Sequence, residues 1–271
     1  MNKLTQRIIT AFVLVVVLLL VFFTLPAAAA LGVLGIFVII AAWEWSGFLS
    51  LKSVGGRVAY VALLTALVVA LPWLIPERLP LMPLLAIALA WWFCAFVWVT
   101  RYPTKIRRDV GAVCGLLVIV PAWAGLVALF ALAEQGPQYV LFVLAIVWAA
   151  DIGAYFVGRR IGRRKLAPSV SPGKTWEGLA GGLAAAAAAA AGGALWFGLN
   201  PLTFIPIGVA VAAVSVVGDL TVSMFKRNAG LKDSGNLFPG HGGVLDRVDS
   251  VTAAVPLFVF ALTWLGMFGH Q

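Results

Sequence analysis

The sequence predicts an all-α, polytopic integral membrane protein with about nine transmembrane helices, and three observations predict it. Of 271 residues, 63% are hydrophobic and only 11% are Asp, Glu, Lys or Arg. Soluble globular domains carry about 45–50% apolar and about 25% charged residues. The apolar residues fall in runs near the ~20 residues that cross a bilayer's hydrocarbon as a helix. With the N-terminus placed inside, 18 of the 19 Lys and Arg fall in inner segments, which is how basic residues sort in membrane proteins. A soluble domain, a disordered tail and a fibrous repeat are excluded. So few charges do not wet a globule, and so many apolar runs do not fit one core.

In chain order the expected spans are 8–25, 27–49, 58–76, 79–99, 110–133, 138–158, 178–198, 203–222 and 251–269. Lys3 and Arg7 precede the first. Its apolar stretch is longer than a usual signal-peptide core, so it is expected to remain as a span. Leu25-Pro26 separates it from the second, because proline interrupts helix hydrogen bonding. The following inner segments carry Lys52 and Arg57; Arg101, Lys105, Arg107 and Arg108; Arg159, Arg160, Arg163, Arg164, Lys165 and Lys174; and Lys226, Arg227, Lys232 and Arg247. Only Arg78 falls outside. The N-terminus is therefore expected in the cytoplasm and the C-terminus outside. The net charge of +9 reflects topology, not a nucleic-acid partner. Cys94 and Cys114 sit in apolar runs without metal or redox spacing and read as small hydrophobes. The alanine run 184–191 between glycine pairs reads as close helix packing. Two regions are expected: 1–135, accessory helices for packing, and 136–271, which holds the polar inner loops 159–177 and 223–250.

Those two loops carry the chemistry. Glu77, Glu134 and Asp109 read as solvated or paired, Glu44 between two tryptophans as interfacial, and Glu177 as a helix-start acid. Asp151 and Asp219 are embedded in apolar helix, where an ionisable group is costly and usually functional. A buried helix–helix polar contact remains an alternative, chiefly for Asp151. Asp246 and Asp249 share one face of a helix start. With Asp219 they form the hard-oxygen set that Mg²⁺ takes, unless Asp246 and Asp249 only pair with Arg247. Lys174, Lys226, Arg227 and Lys232 suit phosphate oxygens. Gly235, Gly240, Gly242 and Gly243 let backbone N–H groups approach an anion. His241 reads as a phosphate or base contact or as structural, and Asp233 as a loop salt bridge or a substrate contact. The residues point to a membrane-embedded polyanion site with a divalent metal, open to the cytosol.

The run Ser223-x-x-Lys226-Arg227, Lys232-Asp233, Gly235, Pro239, His241-Gly242-Gly243, Asp246-Arg247 and Asp249 resembles the signature of phosphatidate cytidylyltransferases, also called CDP-diacylglycerol synthases. Asp151-x-x-Ala154-Tyr155, Gly158-x-x-x-Gly162 and the stretch Ser171–Gly178 resemble the family too, with Gly173 where Lys is more usual. The resemblance covers about 148–250, and residues before 135 match only in hydropathy and length. It implies transfer of a cytidylyl group from CTP to phosphatidate with Mg²⁺, and a second cation such as K⁺ in the family's metal site. Implied roles are metal binding for Asp219, Asp246 and Asp249. Lys226, Arg227, Lys232 and Arg247 would bind phosphates, and His241 would contact one. Ser171, Lys174 and Thr175 would bind nucleotide or cap the next helix. Ser223, Asp233, Gly242 and Gly243 would complete the substrate site. A homodimer in a bacterial-type inner membrane, with the site facing the cytoplasm, is also implied. Competing readings are a transporter or flippase of an anionic lipid or nucleotide, and another enzyme acting on a lipid phosphate. Against a transporter, no internal repeat is visible and the polar residues gather at one face, not the midplane.

Overall fold

The computed structural model describes residues 3–51, 53–77, 80–132, 135–238 and 242–267, with side chains described except at 3–8, 11, 76 and 77. Among these residues the chain forms helices α1 (Lys3–Thr24), α2 (Ala27–Phe48), α3 (Val54–Glu77), α4 (Leu81–Thr100), α5 (Arg108–Phe130) and α6 (Gly136–Ile161). A hairpin of β1 (Lys165–Ala167) and β2 (Ser171–Thr175) follows, then α7 (Trp176–Trp196), α8 (Pro201–Asn228) and α9 (Leu245–Trp264). The break expected at Leu25-Pro26 is present, with Pro26 as the residue preceding α2. Seven helices, α2 to α8, are long and apolar enough to cross a membrane. The protein is thus a largely helical, polytopic integral membrane protein. The all-helical expectation needs one correction, the two-stranded antiparallel hairpin after α6. Its sequence lacks the apolar alternation that marks a strand. It pairs Lys165 with Thr175 and Ala167 with Ser171, and Trp176 N–H donates to Arg164 O at 2.9 Å.

The chain divides into two compact units that do not follow sequence order. One comprises Met1–Leu79, Lys105–Pro137 and Phe225–Val248. In it α2, α3 and α5 pack together. Trp45 is fully buried there, stacks at a tilt on Phe225 at 4.8 Å, and donates its indole N–H to Gly111 O at 3.0 Å. Trp123 does the same on Val68 O at 2.8 Å. Each ring thereby places its apolar body in the core and satisfies its one donor.

The other unit comprises Pro80–Thr104, Gln138–Met224 and Asp249–Gln271. Its core gathers Phe142 against Phe197, Phe204 and Phe258. Helices α6 and α7 meet backbone to backbone. A Cβ on Gly182 would lie 2.7 Å from Ala150 O, and one on Gly178 would lie 2.9 Å from Ala154 O. Ala186, Ala190 and Ala194 are fully buried farther along α7, with Ala186 and Ala190 against Gly208 of α8. This is the close packing that the alanine run foretold, since small residues let helices approach where lipid supplies no hydrophobic drive. Large apolar side chains face outward instead, among them Trp73, Phe93, Leu202 and Trp264. That inversion suits a lipid solvent.

Candidate active site

The last turn of α8 and the loop after it belong to the first unit. Gly230, at φ +71°, ends the helix in a left-handed conformation that costs other residues energy, and Leu231 N–H returns to Lys226 O at 2.8 Å. The loop is held to α9 by Asp246. Its Oδ1 accepts from Lys226 Nζ at 2.6 Å, with the side chains only 10% and 5% exposed. Its Oδ2 accepts from Ser234 N–H at 2.7 Å, Ser234 Oγ at 2.9 Å and Gly243 N–H at 3.0 Å. Asp246 lies in the first turn of α9, ahead of the apolar run 251–269. Burial pushes its carboxyl upward, but the Lys226 ammonium and the Gly243 and Ser234 N–H groups outweigh that and hold it below the usual carboxylate range. Arg247 is exposed, and the ion-pair partner of Asp246 is Lys226.

Glu44, read from sequence as interfacial, is 7% exposed and belongs to this cluster. It accepts from Val244 N–H at 2.9 Å, Leu245 N–H at 2.7 Å and Ser234 Oγ at 2.8 Å. It therefore caps the amino end of α9 from α2. No local sequence signal marks this, because the partners lie some 200 positions away. The glycines gain a different reason from the one expected. A Cβ on Gly243 or Gly235 would overlap the Glu44 carboxylate, and the Gly243 N–H is spent on Asp246. The anion that the Gly243 N–H approaches is the protein's own. Arg227, Lys232 and Asp233 are exposed on this loop, with Arg227 Nη1 donating to Leu231 O at 3.3 Å. Gly242 sits at φ +79°. His241, Pro239 and Gly240 lie outside the described residues.

In the second unit, Asp219 on α8 pairs through Oδ2 with Lys174 Nζ at 2.5 Å, each side chain 25% exposed. Its Oδ1 accepts from Ser223 Oγ one turn on, at 3.1 Å. Lys174 reaches it from β2. Thr175 Oγ1 then accepts Gly178 N–H at 3.1 Å and caps α7, as expected. Glu177 is the acid in the first turn of α7, as expected, and it has a second task. Its carboxylate accepts from Arg163 N–H at 3.0 Å and Arg164 N–H, closing the turn from α6 into the hairpin. Ser171 is half-buried at the start of β2. Asp249 is buried, and Gly218 brings the backbones of α8 and α9 together there, since a Cβ on it would lie 2.6 Å from Asp249 O. Asp151 is exposed on α6.

Asp249 Oδ1 accepts from Ser250 N–H at 2.8 Å, so each carboxylate expected to bind metal has ammonium or N–H partners. Among the described residues no group of three or more His, Cys, Asp or Glu side chains is placed for a metal ion. The donors still fit Mg²⁺. They are hard carboxylate oxygens, and this ion commonly takes one or two of them and completes its shell with water and substrate phosphates.

A model of the cytidylyltransferase family matches residues 5–265. The phosphatidate cytidylyltransferase of Pseudomonas aeruginosa is 48% identical over 98% of this chain and 99% of its own length. That of Haemophilus influenzae is 40% identical over 95% of this chain and 98% of its own. The Bacillus subtilis enzyme of the same name is 42% identical over 48% of this chain and 49% of its own. The two full-length matches include the helices before residue 135, where the motifs alone carried no likeness. The chain belongs to the cytidylyltransferase family.

Proposed function

We propose that this protein is a phosphatidate cytidylyltransferase: it transfers a cytidylyl group from CTP to phosphatidate, giving CDP-diacylglycerol and pyrophosphate. The observation that carries the reading is the near-full-length likeness to enzymes of that name. The geometry accommodates it. One substrate is a lipid and the other a soluble polyanion, so the polar groups belong at the inner ends of membrane helices beside exposed cations. Lys226, Arg227, Lys232 and Arg247 hold phosphate oxygens of CTP and of the lipid, and Lys174 does so from the hairpin. Ser171 and Ser223 contribute hydroxyl contacts, as Asp233, His241, Gly242 and Gly243 complete the substrate loop. A phosphate oxygen of phosphatidate attacks the α-phosphorus, the bond to the bridging α–β oxygen breaks, and pyrophosphate leaves. Such a transfer needs positioning and charge neutralisation more than a covalent nucleophile. Asp219 and Asp246, with Asp249 as a further ligand, would hold Mg²⁺, which would neutralise charge on the reacting phosphates. The lysines that pair with Asp219 and Asp246 hold those carboxylates in place.

The same proposal includes nine spans, with α1 and α9 joining the seven. It also includes an N-terminus and catalytic loops in the cytoplasm of a bacterial-type inner membrane, and a homodimer. CTP labelled at the α-phosphate, incubated with the protein, phosphatidate and Mg²⁺, tests the activity. The label is expected in lipid, with pyrophosphate released in equal amount. Label entering lipid from γ-labelled CTP in a parallel reaction, with none from α-labelled CTP, marks a kinase, and CTP left intact while lipid or nucleotide crosses the membrane marks a transporter. Either result overturns the reading.

A further inference from the structure

We propose that Glu44 is a positioning residue for this transfer, acting through Ser234 on the Asp246 carboxylate. The inference rests on the reading given under Proposed function. Glu44 lies on α2, far in sequence from the polar loops, and its carboxylate is almost fully enclosed. Its described partners are neutral donors: Val244 N–H, Leu245 N–H and Ser234 Oγ. A carboxylate buried among neutral groups is costly. Capping α9 alone would need only a Ser, Thr, Asp or Asn at its own N-cap. What a carboxylate delivered from α2 adds is a tie between two distant parts of the chain.

Ser234 is the link. Its Oγ lies 2.8 Å from Glu44 Oε2 and 2.9 Å from Asp246 Oδ2, and its N–H donates to the same Oδ2 at 2.7 Å. The single hydroxyl proton serves one carboxylate at a time, so both compete for Ser234 and hold it between them. Gly235 and Gly243 lack the Cβ that would displace Glu44. Together these contacts leave the Asp246 carboxylate one orientation. They also consume the Ser234, Gly243, Val244 and Leu245 N–H groups, which at a helix start would otherwise attract a phosphate. Substrate phosphates are left to the side-chain cations.

Glu44→Gln keeps the length but turns one acceptor into a donor facing N–H groups. Ser234→Ala removes the link and spares the cap on α9. Both are assayed as full-length protein in phosphatidate-containing micelles, with CTP and Mg²⁺ varied separately. Losing a group that orients a metal-binding or phosphate-binding side chain typically costs roughly 10- to 100-fold. Glu44→Gln is therefore expected to raise the KM for CTP and the half-saturating Mg²⁺ concentration by about tenfold or more, with the KM for phosphatidate within about twofold. Ser234→Ala should move the same two quantities in the same direction by a smaller factor, and it decides the matter if Glu44→Gln fails to fold. Variants that lose only folded protein or maximal rate, with both half-saturations unchanged, would show Glu44 to be a structural cap and overturn the proposal. Wild-type protein that makes no CDP-diacylglycerol would refute the underlying reading, and the positioning role with it.

Discussion

Two lysine–aspartate pairs differ in ways that decide what each does for the fold. Lys226–Asp246 is nearly sealed, whereas Lys174–Asp219 is a quarter exposed on both sides. Removing one partner of a buried pair strands the other charge and costs about 3–5 kcal/mol, and solvent screening makes an exposed pair worth much less. Lys226→Met should therefore lower the thermal unfolding midpoint in detergent markedly, and Lys174→Met should lower it little. Equal losses would contradict this ranking. The pH dependence follows from the lowered Asp246 carboxyl. Its stabilisation is fully present above the ordinary carboxylate value and is lost as pH falls through the lowered one. Wild-type protein should lose stability on acidification below about pH 4, and Asp246→Asn should show a flatter acid limb in the same unfolding series. The acids at 219, 246 and 249 were legible because a charge in or beside an apolar run stands out. Glu44 was not, because an acid flanked by tryptophans at a helix end looks interfacial until its partners from the far loop are seen.

At the scale of elements, the small-residue seam between α6 and α7 was readable from its composition, since glycine and alanine at helical spacing permit little else in a membrane. The hairpin was not. Its strands are three and five residues long and contain Pro172 and Gly173. Their pairing is supported by the Glu177 carboxylate and the Thr175 cap, neither of which is visible as a strand pattern. The glycine-rich loop was legible as an anion-approaching element, and the Gly243 N–H is taken by an internal carboxylate. Gly243→Ala tests that directly. The added methyl meets the Glu44 carboxylate, so activity should fall at least as far as in Glu44→Gln. A Gly243→Ala protein with full activity would mean that the loop has room to spare.

For the whole molecule, hydropathy and basic-residue counts were enough for a polytopic helical protein, because the bilayer demands helices of one length and sorts charge by side. They did not disclose how the chain is divided. Residues 225–248 join the compact unit built from the early helices, and 249–271 join the other. Periodicity carries no such long-range information. The topology prediction is that reporter fusions at the N-terminus and in the 229–236 loop report the cytoplasm, and a fusion after residue 267 reports the opposite side. A C-terminus on the cytoplasmic side would remove one span from the account. The most direct measurement compares wild type with Asp246→Asn for incorporation of α-labelled CTP into lipid, with phosphatidate and Mg²⁺ each supplied or withheld. Wild type should form CDP-diacylglycerol only when both are present, and Asp246→Asn should form none while remaining folded in the membrane. Equal incorporation by the two proteins would contradict the account.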